Sequence, residues 1–296
     1  MKAHRQTDLD PGPPIRAGER PLRAGDQLVF DADFTRTFLD WVEPVLRRYF
    51  RAELRGAELF PRKQTLLVSH HDGGMMPLDS LFIGQAWHDR FSFSRPLHVL
   101  VHDMVLRFAR PLRRLGAILA DRDNLERIIL SGRSALIYPG AAHETFRPFW
   151  ERKTISLGNR TGFVRHALKR RILITPVVSA GVHETFVVLS RGAWLAERLR
   201  FRELFRANVF PVVAGLPFGI WLGAFFPQLP LPAKITTQIL PPIDPVAQVE
   251  HFLGRAFKDS DADEQDVIWT CFYGLRDSMQ QALDRLYAER RFPIWG

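Results

Sequence analysis

The fold is decided by residues 65–79, which read TLLVSHHDGGMMPLD. The run from Thr65 to Ser69 is short, uncharged and mostly apolar, which is typical of a buried strand. It leads into His70, His71 and a glycine-rich turn. Pro77 follows, and proline is well suited to the first turn of a helix. The stretch therefore predicts a strand, a turn and a helix in succession.

The same alternation continues along the chain. Apolar runs predict strands, and segments with helical spacing predict helices between them. We predict strands over 96–101, 134–138 and 172–178, and helices over 77–90, 103–112, 123–130 and 162–170. This pattern indicates an α/β fold with a largely parallel or mixed central sheet flanked by helices. Ligands in such folds bind at the carboxyl ends of the strands.

Both ends of the chain differ from this alternating middle. We predict a flexible polar arm over 1–27 and a single α/β domain over 28–296. An amphipathic N-terminal helix, rich in aromatic residues and arginine, is expected over 33–55 with a kink at Pro44. This helix can pack on its own domain or lie on a membrane. A long amphipathic C-terminal helix over 268–286 is expected to pack on the domain.

Composition favours an anionic partner. Lys and Arg total 41 against 32 Asp and Glu, so the net charge is +9. Nucleic acid and an anionic membrane surface both fit this charge. The chain has no zinc-finger spacing, and 23 Phe and 7 Trp against 4 Tyr favour lipid contact. We therefore predict a membrane surface and no nucleic acid as the partner. A single cysteine, Cys271, excludes an internal disulfide.

The longest uncharged run covers residues 207–233, which is enough to span a bilayer. Its interior holds five prolines, at positions 211, 217, 227, 230 and 232. Each proline costs about 3 kcal/mol inside a helix. We expect a buried strand-and-loop segment, or a surface that dips into lipid, rather than a spanning helix.

His71 is the first candidate for catalysis. It follows a predicted strand and lies in a glycine-rich turn, which is a suitable place for a general base. Asp79 and Asp72 are candidate partners, because a carboxylate on one ring nitrogen fixes the tautomer of the other. His70 competes for the role of the base. The sequence has no H-E-x-x-H, C-x-x-C or G-x-S-x-G pattern, so we predict no metal and no serine nucleophile.

Residues 69–79 resemble the first block of the glycerolipid acyltransferases, a family that includes the 1-acylglycerol-3-phosphate acyltransferases. His71 matches the histidine of the family's H-x-x-x-x-D block, although its interval to Asp79 is longer. Later segments resemble further blocks in the same order, at 116–124, 138–148, 174–177 and 230–235. The third of these has Pro-Gly-Ala where phosphate-acceptor enzymes have Pro-Glu-Gly. This places the resemblance nearest to the mono- and diacylglycerol acyltransferase branch.

The resemblance implies an O-acyltransferase that moves a fatty acyl group from a thioester to a hydroxyl of a glycerolipid. The donor would be acyl-CoA or an acyl carrier protein, with no other cofactor. His71 would be the general base, Asp79 or Asp72 would orient it, and no acyl-enzyme would form. The implied substrate-binding residues are Gly73, Gly74, Arg122, Pro139, Gly140, Glu144 and Arg147.

From the charge and the apolar segments we also expect a peripheral location on the cytoplasmic side of a membrane. Two other functions stay open at this point. One is a non-catalytic, membrane lipid-binding protein of the same fold. The other is a metal-dependent hydrolase, which tightly bound metal would support.

Overall fold

The computed structural model describes residues 28–71, 78–199, 209–216, 219–223, 229–292 and 294–296. Its α-helices are α1 (Ala32–Arg48), α2 (Leu78–Phe91), α3 (Asp103–Phe108), α4 (Arg122–Leu130), α5 (Ala141–Thr145), α6 (Gly162–Arg170), α7 (Ala193–Arg198), α8 (Pro245–Leu253) and α9 (Gln265–Glu289). Its strands are β1 (Glu53–Arg55), β2 (Thr65–Val68), β3 (Leu97–Val101), β4 (Ala117–Leu119), β5 (Ser134–Ile137), β6 (Leu173–Ala180), β7 (Val187–Ser190), β8 (Val212–Gly215), β9 (Gly219–Leu222) and β10 (Thr236–Ile239). The expected polar arm over 1–27 lies outside the described residues.

The central sheet has seven strands in the order β1-β10-β6-β2-β5-β3-β4. Strands β6, β2, β5, β3 and β4 run parallel, whereas β10 is antiparallel to β6 and β1 is parallel to β10. The predicted α/β fold with a largely parallel, mixed sheet is therefore confirmed. The chain leaves β2 towards β3 on one side and leaves β5 towards β6 on the other. Such a reversal opens a crevice at the carboxyl ends of the two strands.

Side chains of the central strands alternate between two helical layers. On β2, Leu66 and Val68 pack in the apolar cluster that contains Met279 of α9. Leu67, between them, packs in the cluster that contains Trp87 of α2. Alternation of this kind follows from the two-residue period of a strand. A sheet that is apolar on both faces is covered on both, as parallel sheets generally are.

The N-terminal helix is shorter than the sequence predicts. It begins at Ala32, and the Asp31 side chain caps it by accepting the Phe34 N–H at 2.9 Å. It continues through Pro44 and ends at Arg48, so the predicted extension to residue 55 is wrong. Residues 53–55 form β1 instead, because their backbone pairs with β10 far along the chain.

Two further predictions near the sheet edge need correction. The helix expected over 103–112 ends at Phe108 and gives way to a 3-10 helix over 110–115. Pro111 lies at the start of this second segment and has no N–H to continue the α-helical bonding. The local pattern also predicts no strand at 117–119, where β4 pairs with β3. The long C-terminal helix is confirmed as α9.

The proline-rich run contributes to a second sheet, of three antiparallel strands in the order β7-β8-β9. Strands β8 and β9 both lie within the run, as the strand-and-loop prediction expects. The side chains of β9 are mostly exposed rather than buried. Within the described ranges, no helix is both long enough and apolar enough to cross a bilayer.

Candidate active site

Two segments meet at the crevice between β2 and β5. His70 and His71 follow β2, and Tyr138 to Gly140 follow β5, its neighbour in the sheet. The imidazole of His71 stacks on the ring of Tyr138, with 4.7 Å between ring centroids and 29° between their planes. The topology of the sheet thus brings the predicted first and third blocks together.

The two histidines have different surroundings. His70 is fully buried. Its Nε2 accepts the backbone N–H of Ser179 on β6 at 3.1 Å, and its Nδ1 lies 3.4 Å from Nη2 of Arg147. Burial, followed by the charge of Arg147, lowers the pKa of His70 to about 4. His71 is only half-buried. His70 is therefore held within the protein, whereas His71 retains access to the crevice.

The His71 ring is neutral over the ordinary pH range. Burial among protein groups lowers its pKa to about 3, and the charge of Arg147 acts in the same direction, with smaller effects from His70, Arg160 and His102. Removal from water and nearby positive charge both disfavour the protonated ring. A neutral imidazole keeps a lone pair with which it can accept a proton.

Asp79 lies in the first turn of α2 and is 4% exposed. Its Oδ2 accepts the Tyr138 hydroxyl at 2.7 Å, and the Ser80 Oγ lies 2.6 Å from the same hydroxyl. In the part of the chain that the structure describes, the His71 ring and Asp79 share no direct hydrogen bond. Asp72, Gly73 and Gly74 lie outside the described residues. The assignment of the orienting carboxylate stays a prediction.

Glu144 organises the floor of the crevice. Its carboxylate accepts the backbone N–H of His71 at 3.1 Å, of Ser156 at 2.9 Å and of Leu157 at 3.4 Å. It also pairs with Arg147, at 3.2 Å between Oε1 and Nη1. Glu144 and Arg147 are 1% and 2% exposed. Both were predicted to bind substrate, but the structure places them beneath the site, where they are closed off from solvent.

Gly140 lets this carboxylate approach. A Cβ at position 140 would lie 1.9 Å from Oε2 of Glu144, far inside van der Waals contact. Pro139, the residue before it, is buried. Both residues were predicted to bind substrate. The geometry gives Gly140 a structural task, which is to leave room for Glu144 beside the backbone of His71.

Arg122 lies apart from the histidines. It is the first residue of α4, after the edge strand β4. Strand β4 is three positions from β2, which corresponds to about 14 Å across the sheet. The side chain is exposed and lines a charged surface cavity of about 630 Å³ together with Arg165 and Lys169. The structure thus does not place Arg122 with His71.

Several contributors to the site were not found from the sequence. They are the Tyr138 hydroxyl, the Ser80 side chain and the Ser179 backbone. Each contributes through tertiary contacts, which the spacing of residues along the sequence does not predict. One signal was available. The tetrapeptide His-Glu-Thr-Phe occurs at 143–146 and again at 183–186. The second glutamate, Glu184, is also buried and pairs with an arginine, Arg152, at 3.2 Å. Burial raises its pKa.

An apolar cavity of about 70 Å³ lies beside Ser80. Its walls are Leu39 of α1, Gly84 of α2, and Val99 and Val101 of β3, among other mostly apolar residues. It offers almost no polar surface, so it suits a hydrocarbon segment better than water.

A sequence profile described as "Diacylglycerol acyltransferase" matches residues 32–251. The chain belongs to the diacylglycerol acyltransferase family. The acyltransferase is 28% identical to uncharacterized proteins of Mycobacterium tuberculosis and Mycobacterium leprae, in each case over 278 residues. These alignments cover 92% of this chain and 72% and 70% of the two relatives, respectively.

Among solved structures, the 1-acyl-sn-glycerophosphate (LPA) acyltransferase PlsC of Thermotoga maritima matches with a TM-score of 0.47. It is 14% identical, and the match covers 86% of this acyltransferase and 82% of the other chain. Membership of the family confirms the expected class of enzyme, a glycerolipid acyltransferase.

Proposed function

We propose that this acyltransferase moves a fatty acyl group from an acyl-CoA or acyl carrier protein thioester to a hydroxyl of a glycerolipid, with His71 as the general base. One observation carries the assignment of the base. His70 has both ring nitrogens against protein groups in the core, whereas His71 is half-buried at the crevice. A base must reach the proton that it removes.

The reaction needs one proton carrier. The acceptor hydroxyl adds to the thioester carbonyl carbon while neutral His71 takes the hydroxyl proton. The tetrahedral intermediate then collapses and the C–S bond breaks. The imidazolium returns the proton to the leaving thiolate, so the products are an ester and a free thiol. The acyl group is never attached to the protein.

The imidazolium that forms in between needs stabilisation, because its surroundings favour the neutral ring. The face of the Tyr138 ring lies against His71, and an aromatic face attracts a cation. The Asp79 carboxylate, bonded to the same tyrosine, supplies negative charge. The tetrahedral oxyanion also needs hydrogen-bond donors, and we expect backbone N–H groups after Gly73 to supply them.

The glycerolipid acceptor comes from a lipid phase, so we place the enzyme at the cytoplasmic surface of a membrane. On α1, Trp41 and Val45 are 74% and 46% exposed. On β9, Ile220 and Leu222 are 69% and 53% exposed. Exposed apolar side chains of this size on a basic protein favour contact with anionic lipid. The apolar cavity beside Ser80 is a suitable place for part of the acyl chain.

The test is an acyl-transfer assay on the purified protein. Acyl-CoA of several chain lengths and acyl carrier protein thioesters would be combined with 1-acylglycerol 3-phosphate, monoacylglycerol and diacylglycerol. Products are identified by mass and the released thiol is measured. We expect ester and thiol in equal amounts, thiol release that depends on the acceptor, and no loss of activity with a chelator. Folded protein that forms no ester with any pair would refute the proposal.

A further inference from the structure

We propose that Tyr138 is a positioning residue that joins Asp79 to His71: its hydroxyl holds the Asp79 carboxylate and its ring holds the His71 imidazole. The inference rests on the proposed role of His71 as the base. It adds a residue to the site for which neither the motifs nor the family assignment supplies a role.

The direction of the hydrogen bonds follows from counting protons. An ionised carboxylate only accepts, so the one hydroxyl proton of Tyr138 goes to Oδ2 of Asp79 at 2.7 Å. The Ser80 hydroxyl, 2.6 Å away, must then donate to the Tyr138 oxygen. The series of hydrogen bonds therefore runs from the Ser80 hydroxyl through the Tyr138 hydroxyl to the Asp79 carboxylate. Distances this short are typical of hydrogen bonds that end on a charge.

The same tyrosine contacts the base. Its ring and the imidazole lie 4.7 Å apart at 29°, which is a stacked arrangement. The stack fixes the plane of the His71 ring in the neutral state. When the ring gains a proton, the aromatic face stabilises the cation. One side chain thus contacts both members of the predicted histidine–aspartate pair, which share no direct hydrogen bond within the described residues.

The hydroxyl matters because Asp79 is 4% exposed. A buried carboxylate is ionised at little cost only while donors replace the water that it has lost. Without the Tyr138 hydroxyl, Asp79 would take up a proton at higher pH and would lose the charge that stabilises the imidazolium. The effect should be seen in the acid limb of the pH–rate profile.

Tyr138→Phe separates the two contacts, because it keeps the ring and removes the hydroxyl. We expect kcat to fall about 10- to 100-fold with KM little changed, as for a hydrogen bond to a charged group that acts in the transition state. The acid limb of the kcat profile should move to higher pH. Ser80→Ala, which removes only the outer donor, should move it less in the same direction.

Tyr49→Phe is the matched control. The Tyr49 hydroxyl also donates a 2.7 Å hydrogen bond, to the carbonyl oxygen of Pro230. Its loss should leave the pH profile in place. A Tyr138→Phe protein with the wild-type kcat and pH profile would overturn the inference. If that variant fails to fold, Ser80→Ala is the test instead. An acid limb at the wild-type pH in Ser80→Ala would then overturn the inference.

A readout without turnover separates this inference from the proposed function. Carbon-detected NMR follows protonation of the Asp79 carboxyl group, which should occur at higher pH in Tyr138→Phe than in the wild-type protein. An unshifted titration overturns the inference even if the enzyme is active. An inactive wild-type protein that shows the shift would instead refute the proposed function alone.

Discussion

Gly140 allows a carboxylate to come closer to the backbone than any other residue would permit. A methyl group at this position would lie 1.9 Å from Oε2 and 2.5 Å from Cβ of Glu144. The glutamate would have to leave the His71 N–H and its ion pair with Arg147. A buried guanidinium without its counter-charge costs about 3–5 kcal/mol.

Gly140→Ala should therefore lower the free energy of unfolding by about 3 kcal/mol or more, and it should also reduce acyl transfer. Urea denaturation measures the first and the transfer assay the second. Gly162→Ala is the control, since a Cβ there meets no atom within 4 Å. We expect that variant to stay within about 0.5 kcal/mol of the wild type. Equal stability of the two variants would contradict this account of Gly140.

The sequence identifies residues of the site better than it identifies their tasks. His71 and Gly140 are found from a motif and its place after a strand. The burial of Glu144 and Arg147 is not, because it depends on the Ser156 and Leu157 backbone folding over the glutamate. Arg122 is the opposite case. Its segment resembles a block of the family, but the structure places it at the edge of the sheet, away from His71.

Elements with a strong local pattern are predicted well. The apolar runs at β2, β5 and β6 and the helical spacing of α9 agree with the structure. The errors occur where distant backbone decides the conformation. Residues 53–55 carry helical spacing but pair with β10, and β4 has only three residues. Local periodicity is a weak guide to such segments, because tertiary pairing overrides propensity.

At the scale of elements, α1 and the small sheet are the proposed membrane surface. They are connected, because Nη2 of Arg51, just after α1, donates to the Pro232 carbonyl at 2.8 Å and Leu229 pairs with Leu216 beside β8. Leu216 and Leu229 are also exposed. An Arg-rich surface with apolar side chains should bind anionic vesicles through both charge and burial.

We expect vesicle binding to rise with the anionic lipid fraction and to weaken, without vanishing, in high salt. A Trp41→Ser, Ile220→Ser double variant should bind at least about fivefold more weakly, because both side chains would lose apolar burial in lipid. Phe252→Ser is the control, since Phe252 is 52% exposed on α8, which packs in the layer with α9. Co-sedimentation measures all three proteins. Absence of binding, or resistance to both salt and alkaline carbonate, would contradict peripheral attachment.

At the scale of the whole molecule, buried neutral histidines make stability depend on pH. Burial lowers the pKa of both His70 and His98 to about 4, and both are fully buried. In the unfolded chain each takes up a proton near pH 6.5. Between about pH 6.5 and 4 the unfolded state therefore binds more protons, so stability falls as the pH falls. Above this window these groups give no pH dependence.

Each of these histidines should cost up to about 1.4 kcal/mol of unfolding free energy per pH unit inside the window. Urea denaturation between pH 7.5 and 4.5 measures the slope. In the folded protein the neutral ring of His98 lies with its Nδ1 3.1 Å from the Gly116 carbonyl oxygen. His98→Gln should reduce the slope, because glutamine does not titrate. A free energy that is flat from pH 7.5 to 4.5 would contradict the argument.

The turnover of His71→Ala decides whether His71 is the base of the acyl transfer. The side chain is half-buried at a strand end, so the variant should unfold close to the wild-type midpoint. Its transfer rate should fall by about 10²- to 10⁴-fold, the usual contribution of a general base. His251→Ala, measured in parallel, should keep the wild-type rate. A folded His71→Ala protein with near wild-type turnover would contradict the claim and assign the proton transfer to another group.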